Sequence, residues 1–141
     1  MKLIITILIY ICLLFAASSN ENNFYIDAKK LFEEKKFEES KFLFQRNIVY
    51  NPKDSESYLY LAKIFKVEED KVEEEKNIKT SLLLDPKNEE AMYFLIDLEL
   101  ERSNFSKAKE LKEDFVIICS KMCEKLKNIE NRLKAFEKTN S

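Results

Sequence analysis

The chain has 141 residues, of which 45% are apolar and 35% charged, and its net charge is −2, a balance typical of one soluble helical domain. It contains no glycine, which excludes phosphate-binding loops and dinucleotide fingerprints that need positive φ, and no histidine, which removes the commonest general base and metal ligand. Acidic and basic residues are interleaved without a basic stripe, so the composition predicts a protein with no catalytic site, cofactor, metal or nucleic-acid partner.

The first segment of the chain is almost entirely apolar. Lys2 precedes fifteen residues, 3–17, whose only clearly polar side chain is Thr6, and small residues follow them. This pattern predicts a secretory signal peptide over residues 1–19. At about 1.5 Å per residue the run spans about 22 Å, short of the roughly 30 Å hydrocarbon core, which favours cleavage over a membrane anchor through residues 3–17. Under either interpretation the rest of the chain is exported, being periplasmic, secreted or anchored facing away from the cytoplasm.

Beyond residue 20 the apolar residues recur at helical spacing, as in Leu61, Ile64 and Phe65, and no stretch alternates as a strand would. The pattern predicts an all-α fold. Six helices are expected, over residues 22–34, 37–50, 55–67, 71–84, 89–101 and 105–118, which form three helical hairpins. Capping side chains are expected at Asn20, Asp54 and Asn88 for the first helices of the hairpins, and at Asp70 and Asn104 for the second helices.

The three hairpins share a period of 34 residues. Pro52 and Pro86 stand that far apart in the matching phrases Asn-Pro-Lys-Asp and Asp-Pro-Lys-Asn, and the same interval relates Tyr50, Leu84 and Ile118. The expected repeat units therefore cover residues 21–54, 55–88 and 89–118.

The segment 21–118 resembles the tetratricopeptide repeat (TPR) family. The second unit carries the resemblance best, at Tyr58, Leu61, Ala62, Phe65, Ile78, Ser81, Leu82, Leu84 and Asp85-Pro86. The third unit departs from the family pattern at Ile96, Glu99 and Ser120, which fits a terminal repeat. The resemblance implies a right-handed superhelix of three hairpins.

The resemblance also implies a concave groove, lined by the first helix of each hairpin, that holds an extended peptide or a partner's helix. The matching positions include Tyr25, Lys29, Phe32, Leu59, Lys63, Tyr93, Asp97 and Leu100. Their large apolar members are expected to be exposed, which predicts a non-catalytic adaptor for a protein or peptide partner. The alternative is that the N-terminal segment or the C-terminal helix covers them. Relatives that clamp a terminal carboxylate use basic residues and asparagine, whereas the matching places hold Tyr25, Lys29, Tyr60, Glu90 and Phe94, so that ligand is not expected.

Residues 119–141 carry a last apolar pattern. Steps of four and three residues connect Phe115, Cys119, Met122, Leu126, Ile129, Leu133 and Phe136. The pattern predicts an amphipathic helix that caps the third repeat. The alternative is a parallel coiled-coil homodimer, in which this seam self-associates and the protein is structural. Because Ser120 replaces a proline, the last repeat helix is free to continue into this segment as one rod.

Cys119 and Cys123 lie four residues apart on the expected last helix. Inside a regular helix two such side chains do not meet at disulfide geometry, so we expect buried free thiols. A disulfide between chains at Cys119 is the alternative if the coiled coil forms. Two thiols without histidine make a poor zinc site.

Overall fold

The computed structural model describes residues 23–139, with side chains as far as Ala135. This part of the chain folds into seven α-helices and contains no strand. Their bounds are α1 Phe24–Glu33, α2 Phe37–Tyr50, α3 Ser55–Val67, α4 Lys71–Leu84, α5 Glu89–Glu101, α6 Phe105–Ile118 and α7 Lys125–Thr139. The all-α prediction is confirmed, and the first six helices lie within two residues of their predicted ranges. The predicted signal segment and Asn20 fall outside the described residues.

Helices α1 to α6 pack as three consecutive antiparallel hairpins. In the first hairpin the rings of Phe24 and Tyr50 stack with centroids 5.5 Å apart, which places the start of α1 beside the end of α2. In the middle of the same pair the Ser40 hydroxyl donates to the Ala28 carbonyl oxygen at 2.8 Å. Ala28 is fully buried, because its small side chain lets the two backbones approach this closely.

The three turns inside the hairpins have the same geometry. Lys35, Glu69 and Ser103, spaced by 34 residues, all adopt positive φ, at 61°, 60° and 59°. In the first turn the Lys36 amide donates to the Leu31 carbonyl and the Lys35 amide to the Phe32 carbonyl, each at 2.9 Å. This is the Schellman arrangement, which satisfies the last carbonyl groups of the preceding helix.

Side-chain caps differ between the repeats. Asp70 accepts from the amides of Val72 and Glu73, and Asn88 accepts from the amide of Ala91, as predicted. Asp54 and Asn104 make no such cap bond, so these two predictions are wrong. The Asp54 carboxylate instead accepts from Asn47 at 2.7 Å and Ser57 at 2.6 Å. The Asn104 amide group donates to Glu99 at 2.8 Å. In both cases the side chain bonds to other side chains and not to the amides in the first turn of its helix.

The buried side chains form two core clusters that meet at α3. The N-terminal cluster contains Ala28, Phe44, Leu61 and Ile64. The C-terminal cluster contains Ala62, Ile78, Leu95, Ile96, Leu98, Leu100, Ala108, Leu111, Phe115, Ile129 and Leu133. Since α3 contributes to both clusters, it couples the first hairpin to the rest of the array.

Helix α7 packs against α5 and α6 and closes the C-terminal end of the array. Ile129 is fully buried and Leu133 is 5% exposed, and both belong to the C-terminal core cluster. Cys119, Met122 and Leu126 pack against the same cluster, while the side chain of Phe136 lies outside the described part. The seam that would form a coiled coil is therefore turned towards its own chain, as the capping interpretation requires.

The continuous rod that the absence of a proline at Ser120 allows does not form. Helix α6 ends at Ile118 because Cys119 adopts an extended backbone, and α7 begins only at Lys125. The expectation of free thiols is also wrong, since Cys119 and Cys123 form a disulfide within the chain, with Cα atoms 5.3 Å apart. Only in a regular helix does a spacing of four residues keep two cysteine side chains from disulfide geometry. The break at Cys119 removes the helical geometry and lets the two side chains meet.

The Glu89 carboxylate fixes the disulfide loop to the start of α5. It accepts from the Ser120 hydroxyl at 2.7 Å, the Lys121 amide at 3.0 Å and the Met122 amide at 2.8 Å. These hydrogen bonds, led by that of the Ser120 hydroxyl, lower the pKa of Glu89 to about 2. The carboxylate thus supplies acceptors for a loop whose amides have no helical partners.

The attachment of the disulfide loop should weaken in acid. The pKa of Glu89 is lower in the folded protein, about 2, than its ordinary value of 4.5, so its stabilising effect is complete above pH 4.5 and is lost as the pH falls towards 2. The amide NMR shifts of Lys121 and Met122 should titrate with a midpoint near 2, and Glu89→Gln should abolish that titration. A midpoint close to 4.5 would contradict the assignment.

Candidate interaction groove

A cleft of about 480 Å³ opens between α1, α3 and α5, the first helices of the three hairpins. Its apolar walls come from Phe32 of α1, Val67 of α3 and Phe94 of α5. Lys63, Lys66 and Glu90 complete the lining and carry the charges. The cleft therefore combines an apolar interior with charged groups on two of its three helices.

The wall around Phe32 is anchored in the N-terminal core cluster. The Phe32 ring packs edge-on against Phe37 and Tyr60, with centroids 5.5 and 5.1 Å away. Tyr60 in turn stacks on the fully buried Phe44 at 4.9 Å. Because each ring is held by the next, the side of the cleft formed by α1 is preorganised.

Tyr25 extends this aromatic group towards the start of α1. Its ring lies edge-on to Phe44 at 6.0 Å and to Tyr60 at 6.2 Å. Burial, assisted by the negative charge of Glu56, raises the pKa of Tyr25 to about 12. The phenol therefore keeps its proton at physiological pH and can act as a hydrogen-bond donor.

Both lysines of the cleft lie over aromatic rings and are paired with carboxylates. The Lys63 ammonium lies 4.5 Å from the Tyr60 centroid and 5.8 Å from that of Phe94, and pairs with Glu90 at 2.8 Å. Lys66 lies 5.5 Å from the Phe94 centroid. Since each ammonium already has an anionic partner, the cleft offers little free charge to a ligand.

Asp97 connects the cleft to helix α7. It accepts from Lys66 of α3 and from Arg132 of α7, and Lys66 also pairs with Glu101 at 3.0 Å. Burial opposes ionisation of Asp97, yet these two hydrogen bonds hold its pKa below the ordinary value. The pKa of Lys66 is raised, since its carboxylate partners outweigh the opposing effect of burial. The capping helix is thus bonded to the same network that borders the cleft.

Some of the predicted groove residues lie at or beside the cleft, whereas Tyr93 lies towards helices α6 and α7. Phe32 and Lys63 line the cleft, Asp97 borders it, and Lys29 lies beside Tyr60. Tyr93 packs towards Phe115 at 6.5 Å, and the Lys125 ammonium of α7 lies 5.8 Å from its ring centroid.

The predicted exposure of two groove residues is wrong. Leu59 is fully buried and Leu100 is only 6% exposed. Leu100 belongs to the C-terminal core cluster, because its face of α5 turns towards the helices behind it. Neither leucine offers an apolar surface to a partner.

Phe94, which the sequence placed only among the positions of a carboxylate clamp, forms one wall of the cleft. It is 34 residues from Tyr60, the other ring that contacts Lys63, so the repeat period contained the signal. Within residues 23–139 no group of three or more candidate metal ligands occurs. None of the described helices has the length and apolar character to cross a membrane.

No protein-family model and no curated protein sequence matches the chain. Solved structures do match. The TPR2B domain of yeast Sti1, determined in a pHsp70 complex, aligns with a TM-score of 0.74 at 11% identity, over 81% of this chain and 95% of that one. The chaperone SycD of Yersinia enterocolitica, in complex with a peptide of the translocator YopD, aligns at 0.74 and 15%, over 89% and 98%. The second TPR domain of human RPAP3, in complex with an HSP70 peptide, aligns at 0.66 and 17%, over 81% and 92%. The fold is that of a TPR superhelix.

Proposed function

We propose that this protein is a non-catalytic adaptor that holds an extended segment of a partner protein in the concave cleft between α1, α3 and α5. The observation that carries the proposal is the cleft itself, an opening of about 480 Å³ walled by Phe32, Val67 and Phe94. A cavity of that size accommodates a few side chains of a bound peptide. Two of the structural neighbours were determined with peptides, which supports the same use of this fold here.

The chemistry of the cleft favours an apolar anchor residue in the partner. Lys63 is paired with Glu90, and Lys66 with Asp97 and Glu101, so a ligand carboxylate would have to displace an existing partner. An aromatic or branched aliphatic side chain between Phe32 and Phe94 would gain buried area without that cost. The proposed ligand is therefore recognised by an internal apolar residue and not by its C-terminal carboxylate.

We further propose that the adaptor acts outside the cytoplasm. The apolar run of residues 3–17 supports export, either as a cleaved signal or as an anchor. The Cys119–Cys123 disulfide also supports this location, because such bonds persist in oxidising compartments. Self-association through the C-terminal seam is disfavoured, since Ile129 and Leu133 are already buried within the chain.

A peptide selection tests the cleft. Random twelve-residue peptides are selected on the immobilised protein, and the affinity of the best peptide is measured by fluorescence anisotropy. Phe94→Ala should weaken binding at least about tenfold, or about 1.4 kcal/mol, because truncating a central aromatic removes most of an anchor contact. Amidation of the peptide's C-terminus should leave the affinity unchanged.

The matched control for this measurement is Phe42→Ala, which makes the same truncation on α2, away from the cleft, at a ring that is 60% exposed. Its affinity should equal that of the wild type, and circular dichroism should show both variants folded. The proposal fails if no peptide is enriched, or if the selected peptides bind the Phe94 and Phe42 variants equally well.

A further inference from the structure

A row of exposed aliphatic side chains repeats with the period of the fold. Val49, Leu83 and Ile117 are spaced by 34 residues, and each is the penultimate residue of the second helix in its hairpin. Their exposed fractions are 77%, 81% and 81%. One exposed aliphatic residue on a protein surface needs no explanation, but three at equivalent positions of successive hairpins form a row along the array.

A row of lysines accompanies these aliphatic residues. Lys53, Lys87 and Lys121 each follow the exposed aliphatic residue by four positions, and all three are exposed. Within the described part of the chain none of these ammonium groups forms an ion pair, in contrast to Lys63 and Lys66 of the cleft. Each repeat therefore presents one aliphatic side chain and one unpaired cation at the same place.

The two rows lie on one edge of the array, where the second helices end and the first helices begin. The stacked rings of Phe24 and Tyr50 place the start of α1 at this edge. Asn88 donates to Glu56 at 2.8 Å, which joins the starts of α3 and α5, and Ser120 donates to Glu89 at 2.7 Å. The Glu56 and Glu89 carboxylates accept these hydrogen bonds, whereas the three lysine side chains are exposed.

The chain enters the fold from this same edge. Residues 3–17 are apolar, and only residues 18–23 separate them from Phe24 at the start of α1. Six residues span at most roughly 20 Å even when fully extended. If residues 3–17 are embedded in a bilayer, this edge is the part of the described structure that lies nearest to the lipid headgroups.

We propose that this edge rests on a phospholipid membrane surface. Val49, Leu83 and Ile117 insert among the headgroups, and Lys53, Lys87 and Lys121 contact lipid phosphates, an arrangement that suits interfacial protein surfaces. In this orientation the seven helices stand on the membrane, and the turns that contain Lys35, Glu69 and Ser103 face away from it. The inference rests on the anchor alternative of the proposed export, in which residues 3–17 stay in the bilayer, and it concerns a different surface from the peptide cleft.

Because the chain contains no tryptophan, single substitutions give site-specific fluorescent reporters. The full-length protein is reconstituted into vesicles of phosphatidylcholine and phosphatidylglycerol, with and without acyl chains brominated near the headgroup. Tryptophan at the edge, in Leu83→Trp and separately in Ile117→Trp, should be quenched several-fold more strongly by brominated lipid than tryptophan in Val72→Trp. Val72 is the matched control, since it is 73% exposed but lies at the start of α4, on the opposite edge.

A second variant tests the lysines. In the Leu83→Trp background, changing Lys53, Lys87 and Lys121 to glutamate should reduce the quenching to the level of the Val72 reporter, while the protein stays attached through residues 3–17. Equal quenching at positions 72 and 83 would overturn the proposal, whether it is weak, as for a domain held clear of the lipid, or strong, as for non-specific adsorption. Circular dichroism confirms that each variant is folded, and the two edge reporters guard against a local effect of either substitution.

Discussion

Replacing Phe44 by alanine should lower the free energy of unfolding by about 3–5 kcal/mol, the range observed for truncation of a large buried aromatic side chain. Phe44 is fully buried, stacks on Tyr60 at 4.9 Å and contacts the ring of Tyr25 at 6.0 Å. Its removal would leave a cavity beneath the aromatic group that supports the cleft. Urea denaturation followed by circular dichroism measures the change, and Phe44→Leu, with a smaller loss, serves if the alanine variant does not fold.

The same helix supplies the control for this experiment. Phe42 lies two residues away on α2 and is 60% exposed, so Phe42→Ala removes the same atoms without opening a cavity. Its effect should be within about 0.5 kcal/mol of zero, as for most surface substitutions. Similar losses at Phe42 and Phe44 would show that α2 is not oriented as described.

Replacing Ile129 by alanine should lower the free energy of unfolding by about 2–5 kcal/mol, the usual range for a buried isoleucine. Ile129 is fully buried where α7 packs on α5 and α6. Because this burial occurs within one chain, the midpoint of unfolding should not depend on protein concentration. A coiled-coil dimer would instead link stability to concentration by mass action. The exposed neighbour Glu130 provides the control, and Glu130→Ala should be nearly neutral.

A loss of stability at Ile129 that grows on dilution, together with a dimer in analytical ultracentrifugation, would contradict the capping interpretation. Hydrogen exchange offers a local measurement. If α7 caps the array, Ile129→Ala should accelerate exchange first in α7, and then in the part of α5 that contains Asp97, since Arg132 bonds to that residue.

The helix bounds could be predicted from the sequence because two periods coincide in it. Apolar residues at helical spacing define each helix, and the 34-residue interval between Pro52 and Pro86 fixes where the hairpins repeat. The break after Ile118 could not be predicted, because no proline or glycine marks it. It depends on Glu89, a residue about thirty positions earlier, which binds the amides that the break exposes.

The candidate site was less predictable than the fold. The sequence identifies which helices border the concave side, but the face that each one turns to solvent depends on packing against its neighbours. Leu59 and Leu100 were expected there and are buried, whereas Phe94 contributes a wall of the cleft. A small rotation of a helix about its axis, by less than the angle between adjacent residues, determines which side chains are buried and which line the cleft. The apolar pattern alone does not specify that rotation.

The backbone conformation of the turns inside the hairpins lowers the free energy of unfolding of the fold. At Lys35, Glu69 and Ser103 a residue with a β-carbon occupies the left-handed region, at a cost of roughly 1–2 kcal/mol each relative to a relaxed backbone. The Schellman hydrogen bonds hold each of these turns in place. The three positions are far apart and local, so their contributions add. Because the chain contains no glycine, each of the three turns carries this cost. Substitutions that relieve it would raise the free energy of unfolding without altering the cleft, the core or the exposed lysine row.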